Sequence, residues 1–136
     1  MKLPFERALV TGGAGFIGSH LTESLVGEGC RVVVLDDLSS GHPDNLEAVR
    51  NRLTFIEGDI RDAETVRRAA RDCAVIFHLA AVVSVPQTVD DPLGSAMVND
   101  LGTLQVLEAA RAQRTAGVVF ASSSAVYGDD PVLPKR

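Results

Sequence analysis

Aromatic residues are scarce in this sequence of 136 residues, which has no tryptophan and a single tyrosine. So few aromatic rings are a poor match for proteins that bind nucleic acids by stacking on the bases. The formal net charge of −5 also argues against a surface for nucleic acid or anionic membranes. We therefore expect neither a nucleic acid nor a membrane among the partners of this chain.

Cysteine and long apolar runs are scarce as well. The two cysteines, Cys30 and Cys73, lack metal-ligand spacing, so we predict buried free thiols and no metal site. No apolar run approaches the roughly 20 residues of a membrane helix. Thr11 and the glycines after it interrupt the first apolar stretch, so no signal peptide is predicted. These absences together predict a cytoplasmic protein.

What is present is the composition of a globular protein, with 46% hydrophobic and 23% charged residues. At this length we expect one domain, residues 1–136, which buries about two-thirds of the surface of its unfolded chain. A hydrophobic core of that size needs no disulfide or metal to support it.

Short, continuously apolar runs alternate with stretches of helical spacing. The runs are typical of strands covered on both faces by helices, and they lie at residues 8–10, 32–35, 53–56, 75–79 and 118–121. Helices are predicted from a face of Ile17, Leu21 and Leu25, from an N-cap at Asp62, and over residues 92–114. This alternation predicts an α/β fold of the Rossmann type, a doubly wound parallel sheet with strand order 3-2-1-4-5.

A glycine-rich turn separates the first predicted strand from the first helix. Gly13, Gly15 and Gly18 have the spacing of a dinucleotide phosphate loop, and Gly12 adds a second register with Gly15 and Gly18. Such a loop turns tightly, approaches a pyrophosphate with its backbone and packs the helix on the strand. The start of the helix would then attract the anion. Such turns also occur for packing reasons alone, and that alternative stays open.

Two aspartates end the second predicted strand. Asp36 lies 18 positions after Gly18, close to the distance at which a carboxylate accepts hydrogen bonds from an adenosine ribose. Asp37 follows directly, and no arginine or lysine is adjacent, so a 2′-phosphate would meet two like charges. The pattern favours NAD over NADP as the cofactor, with a solvated carboxylate at a strand end as the alternative.

The ends of the other strands carry polar and small residues. Because the carboxyl ends of parallel strands share one edge of the sheet, five segments are expected to meet in one crevice. They are residues 12–18, 36, 59, 78–83 and 122–124.

Taken together, these motifs resemble the extended short-chain dehydrogenase/reductases, and among them the NAD-dependent nucleotide-sugar epimerases. The similarity covers the whole chain, and it rests on TGGAGFIGSH at residues 11–20, DDLSSG at 36–41, GDI at 58–60, HLAA at 78–81, NDLGT at 99–103 and SSSAVYG at 122–128. The resemblance implies an NAD cofactor and a UDP-sugar substrate.

By this resemblance, seventeen positions would contact the cofactor. Phe16 and Ile17 would cover the pyrophosphate, and Asp59 would meet the adenine. For Asn99, an amide bonded to a neighbouring loop is an alternative role, and both roles can hold. The implied set is Gly12, Gly15, Phe16, Ile17, Gly18, Asp36, Asp37, Leu38, Ser39, Ser40, Gly41, Asp59, Ile60, Leu79, Ala80, Ala81 and Asn99.

The same resemblance assigns the chemistry. Ser123 would hydrogen-bond the reacting sugar hydroxyl, with Ser124 sharing the task, while Tyr127 would be structural. The substrate side would include Val83, Ser84 and Val85. Residues 84–86 and 127–135 are similar to the UDP-N-acetylglucosamine 4-epimerase branch, and Val83 stands where galactose 4-epimerases place a lysine.

The family's proton-transfer motif, Tyr-x-x-x-Lys, does not occur in these residues, because Pro131 stands four positions after Tyr127. The substrate-binding domain is absent too. We therefore expect the cofactor-binding half of a 4-epimerase, inactive on its own, and a homodimer formed through the helix of residues 92–114. The alternatives are a dehydratase, decarboxylase or reductase of the same superfamily, and a non-catalytic NAD-binding module.

Overall fold

The structure, a computed structural model, describes residues 3–129, 131, 132 and 134. Five strands form one sheet: β1 (Arg7–Thr11), β2 (Arg31–Asp36), β3 (Leu53–Glu57), β4 (Val75–His78) and β5 (Gly117–Phe120). All four neighbouring pairs are parallel, and the strand order is β3-β2-β1-β4-β5. The predicted Rossmann-type sheet and its strand order are therefore confirmed.

Helical segments connect the strands. The α-helices are α1 (Phe16–Gly27), α2 (Ala63–Ala69), α3 (Val85–Asp90), α4 (Pro92–Ala96) and α5 (Thr103–Gln113). A π-helical segment (Met97–Gly102) joins α4 to α5, and 3₁₀ helices cover Pro43–Arg52 and Ser124–Tyr127. The predicted N-cap of α2 is confirmed, because the Asp62 side chain accepts a hydrogen bond from the Glu64 N–H.

The core has two layers, one on each face of the sheet. Alternate residues of β1 serve the two layers, since successive side chains of a strand point to opposite faces. Leu9 joins the layer beneath α2 and α5, whereas Ala8 and Val10 join the layer beneath α1 and the first 3₁₀ helix. Cys30 and Cys73 are free and buried as predicted, and burial raises the pKa of both thiols.

Three predictions of local structure were wrong. Ile17 does not face the core, because it lies in the first turn of α1 and is largely exposed. Residues 92–114 do not form one regular α-helix, since the π-helical segment widens its middle. The edge strands β3 and β5 are not covered on both faces, and Val119 and Phe120 of β5 are more than half exposed.

Candidate cofactor-binding site

The glycine-rich loop between β1 and α1 is held in place mainly by packing. Gly12 has a φ of +68° and donates its N–H to the Leu35 carbonyl oxygen at 2.8 Å. A Cβ on Gly18 would lie 2.1 Å from the Gly12 carbonyl oxygen, and one on Gly13 would lie 2.7 Å from Val34 Cγ1. The packing alternative thus explains why these three positions have no side chain.

Gly15 differs, because packing constrains it less than it constrains Gly12, Gly13 and Gly18. The one described atom that a Cβ there would approach within 4 Å is the Gly12 carbonyl oxygen, at 3.3 Å. Gly15 lines a cavity and is the N-cap of α1, which has no side-chain capping bond. The uncapped N–H groups of a helix start carry partial positive charge, so this part of the loop fits a closely approaching anion.

Asp36 is fixed in the wall of the same cavity. The carboxylate is buried, with Oδ2 accepting from the Ala14 N–H and Oδ1 from the Leu38 N–H, both at 2.9 Å. A Cβ on Gly41 would lie 2.9 Å from Asp36 Oδ1, so the chain passes close to this group. Each oxygen keeps a further lone pair, which is what two ribose hydroxyls require.

The other two acidic residues of the cavity are more exposed. The Asp37 carboxylate accepts hydrogen bonds from the Ser39 N–H and hydroxyl, at 2.9 and 2.6 Å. Asp59 pairs with Arg61, whose Nε donates to Asp59 Oδ2 at 2.8 Å. The hydrogen bonds from Arg61 lower the pKa of the Asp59 carboxyl. The hydrogen bonds and charge of Asp59 raise the pKa of Arg61, with a smaller contribution from Asp37. Arg61 is thus a cation beside Asp59 that the sequence pattern did not indicate.

The cavity collects four of the five predicted segments. Most of its lining was predicted from the sequence, including Val82 as part of the segment 78–83, while Gly58 and Val98 were not expected in the crevice. The lining residues are Gly12, Gly15, Asp36, Asp37, Ser39, Ser40, Gly41, Gly58, Asp59, Ile60, Ala80, Ala81, Val82 and Val98. These residues follow β1, β2, β3 and β4, and Val98 comes from the π-helical segment.

Several predicted cofactor residues lie outside this lining. Phe16 and Ile17 project from the start of α1 and are 80% and 67% exposed. Gly18 packs against the backbone of Gly12 and Gly13, and the Leu38 N–H donates to Asp36 Oδ1. Leu79 donates its N–H to the Thr11 side chain at 3.2 Å. These residues support or border the cavity in this structure.

Asn99 bonds to a neighbouring loop and in doing so shapes the cavity. Its Oδ1 accepts from the Val82 N–H at 2.8 Å, and its Nδ2 donates to the Val82 carbonyl oxygen at 3.0 Å. Val82 itself lines the cavity. The two roles considered for Asn99 are therefore compatible.

Comparison with known proteins gives the family of the chain. Residues 8–136 match the model of the NAD dependent epimerase/dehydratase family. The chain belongs to this family. The resemblance seen in the sequence motifs is thereby confirmed, and NAD is the cofactor of the family. Gly15 and Asp36 meet its requirements, since one leaves room for a pyrophosphate and the other presents a fixed carboxylate.

One relative in the epimerase/dehydratase family is more than twice as long as this chain. A UDP-glucose 4-epimerase of Mycolicibacterium smegmatis is 48% identical over 132 residues, which are 94% of this chain and 42% of that protein. The chain thus spans less than half the length of this curated relative.

Two solved structures of epimerases are also similar to this chain. A UDP-N-acetylglucosamine 4-epimerase from Methanobrevibacter ruminantium, in complex with UDP-N-acetylmuramic acid, has a TM-score of 0.91 and 39% identity. The match covers 100% of this chain and 43% of that one. The UDP-glucose 4-epimerase of Thermus thermophilus, in complex with NAD, has a TM-score of 0.86 and 44% identity over 96% of this chain and 42% of its own.

The predicted catalytic serines of this epimerase/dehydratase chain lie after β5, away from the cavity lining. Ser123 caps the short 3₁₀ helix, with its Oγ accepting from the Ala125 N–H at 3.2 Å, and both Ser123 and Ser124 are exposed. Of the three residues predicted to contact the substrate, Ser84 caps α3, and Val83 and Val85 are exposed. Leu133 and Lys135, part of the motif at residues 127–135, lie outside the described residues.

Neither a membrane span nor a metal centre is found in the described part of this family member. No helix within residues 3–129 is long and apolar enough to cross a membrane. Within the same residues, no group of three or more His, Cys, Asp or Glu side chains is placed to hold a metal ion.

Proposed function

We propose that residues 1–136 are the NAD-binding domain of a UDP-sugar 4-epimerase. The observation that carries this proposal is the cavity in which Gly15, at the uncapped start of α1, meets the fixed carboxylate of Asp36. The names of the similar proteins support the choice of 4-epimerase within the family.

In this proposal, different sides of the cavity bind different parts of NAD. The start of α1 beside Gly15 holds the pyrophosphate, and Asp36 accepts hydrogen bonds from the adenosine ribose. Asp59 and Ile60 contact the adenine, and the small side chain of Ala80 leaves room for the nicotinamide ring. When bound, the cofactor would supply reversible hydride transfer at C4 of the sugar.

Ser123 is proposed to orient the sugar 4-hydroxyl, with Ser124 beside it. Their position after β5 supports this role, because that strand end lies at the same edge of the sheet as the cavity. The group that removes the proton in this family belongs to Tyr-x-x-x-Lys, which these 136 residues do not contain. We therefore propose that the chain alone binds the cofactor without turning over sugar.

A chimera tests this function. We expect residues 1–136, joined to the remaining part of the Mycolicibacterium smegmatis epimerase, to interconvert UDP-glucose and UDP-galactose, while residues 1–136 alone show no activity. Ser123→Ala in the chimera should lower kcat about 100-fold, because one hydrogen bond to the reacting hydroxyl is lost. Ser123→Thr keeps the hydroxyl and should retain most of the activity.

Ser122→Ala is the matched control, since we assign the neighbouring serine no role. Equal losses in Ser122→Ala and Ser123→Ala would contradict the role of Ser123. A chimera that binds NAD but leaves every UDP-sugar unchanged would favour a non-catalytic module or another reaction of the family.

We also propose that the chain forms a homodimer through the segment that runs from α4 to α5. Apolar side chains on this segment are 47–78% exposed, and they are Leu93, Met97, Leu101, Leu104 and Leu107. Exposed apolar area of this kind is commonly covered by a partner. We expect sedimentation velocity to show dimers that Leu101→Glu dissociates. A monodisperse wild-type monomer that binds no hydrophobic dye would contradict the dimer.

A further inference from the structure

We propose that Thr103 and His78 are positioning residues for the cofactor site. They link the end of β1 to the π-helical segment and so hold the backbone of residues 79–82, part of which lines the cavity. This inference rests on the proposed NAD-binding function. A continuous set of hydrogen bonds from Thr11 through His78, Thr103 and Asn99 to Val82 supports it.

The first half of the link lies at the end of β1. Thr11 is fully buried, and its Oγ1 accepts from the Leu79 N–H at 3.2 Å and from the Ala80 N–H at 3.3 Å. The same oxygen lies 2.6 Å from Nδ1 of His78, which is 2% exposed. One hydroxyl therefore connects the imidazole to the start of the cavity-lining loop.

The second half of the link runs from His78 to the π-helical segment. His78 Nε2 lies 2.9 Å from the Thr103 hydroxyl, which donates to the Asn99 carbonyl oxygen at 2.6 Å. The Asn99 side chain holds both backbone groups of Val82. The loop of residues 79–82 is thus hydrogen-bonded to Thr11 near its start and to Asn99 near its end.

These contacts select one tautomer of His78. The Thr103 hydroxyl donates its one hydrogen to the Asn99 carbonyl oxygen, so its oxygen accepts a hydrogen bond from His78 Nε2–H. Nδ1 then carries no hydrogen and accepts a hydrogen bond from the Thr11 hydroxyl. Burial lowers the pKa of His78, which agrees with a neutral ring. A charged ring would place an Nδ1–H against Thr11 Oγ1, which already accepts from the Ala80 N–H and shares the Leu79 N–H with the Thr11 carbonyl oxygen.

The π-helical segment also contacts the adenine side of the cavity. A Cβ on Gly102 would lie 2.6 Å from Ile60 Cδ1, so this segment packs closely against a lining residue. Val98 of the same segment lines the cavity. The segment therefore contacts both Ile60 and, through Asn99, Val82. A shift of the segment would move both of these lining residues and so change the fit of the cofactor.

Two variants of Thr103 distinguish the effect of its hydroxyl group from the effect of its side-chain shape. Thr103→Val removes the hydroxyl with little change of volume, and Thr103→Ser restores it. Thr22→Val is the control for the chemical change, because Thr22 is a helical threonine too and its hydroxyl has no hydrogen-bond partner among the described residues. Thr22 is fully buried, whereas Thr103 is half-buried. NAD affinity, melting temperature and amide NMR spectra are measured for all three and for the wild type.

We expect Thr103→Val to weaken NAD binding about 5- to 10-fold in chains that remain folded, the effect of roughly one hydrogen bond. Its Ala80 and Val82 amide resonances should shift. Thr103→Ser should restore NAD affinity to within about twofold of the wild-type value. Thr22→Val should match the wild type in NAD affinity and in its Ala80 and Val82 amide resonances. In the wild type, nitrogen chemical shifts should show His78 with its proton on Nε2.

Two results would overturn the inference. One is a Thr103→Val chain with wild-type NAD affinity and unchanged Ala80 and Val82 resonances. The other is a wild-type His78 that is charged or carries its proton on Nδ1, and this measurement needs no variant to fold. If the wild-type chain fails to bind NAD at all, the proposed function of the isolated chain fails, while the NMR results still decide the role of Thr103 and His78.

Discussion

Alanine at Gly18 is expected to destabilise the chain by about 3 kcal/mol, at the upper end of the cost of overpacking. The new Cβ would lie 2.1 Å from the Gly12 carbonyl oxygen and 2.7 Å from the Gly13 Cα, so backbone atoms must move apart. We expect the melting temperature to fall by roughly 10 °C. Thermal unfolding followed by circular dichroism measures the change.

Gly15→Ala is the matched variant for Gly18→Ala. Gly15 has a φ of −74°, which alanine adopts freely, and its added Cβ would lie 3.3 Å from the Gly12 carbonyl oxygen. We expect a loss of about 1 kcal/mol or less in stability but a strong loss of NAD affinity, since Gly15 lines the cavity where we propose that the pyrophosphate binds. If the two variants lost equal stability, or if Gly15→Ala bound NAD normally, the division between packing and binding glycines would be wrong.

Asp36→Ala is expected to lose about 100-fold in NAD affinity, because two charge-assisted hydrogen bonds to the ribose disappear. It should also lower stability by about 1–3 kcal/mol, since the buried Ala14 and Leu38 N–H groups lose their acceptor. Calorimetric titration with NAD, together with thermal unfolding, measures both effects. Asp36→Asn, which keeps the volume of the side chain, provides a milder variant if Asp36→Ala does not fold.

NADP provides the second readout for Asp36. The wild type should bind NAD more tightly than NADP, and Asp36→Ala should narrow this difference because less negative charge faces the 2′-phosphate. Asp37→Ala is the control for stability, since the Asp37 carboxylate is exposed. Among the described residues, only Ser39 donates hydrogen bonds to it. Equal binding of NAD and NADP by the wild type would contradict the ribose-binding role of Asp36.

The site could be predicted from the sequence wherever a local spacing carries the function. The glycine loop and Asp36 follow strands in regular order, and the cavity contains them as expected. Arg61 was missed, because its bond to Asp59 depends on a side-chain geometry that spacing does not show. His78 and Thr103 were assigned no role, since their partners come from separate elements.

By itself, the sequence determined the strands, their parallel order and the loop that begins α1, because alternation, helical spacing and glycine placement act over a few residues. The tertiary structure alone decided which glycines serve packing and which one leaves room for a ligand. It also decided that Asn99 holds Val82 and that the segment from residue 97 to 102 is π-helical. These outcomes depend on how closely distant segments approach, which no local pattern of residues specifies.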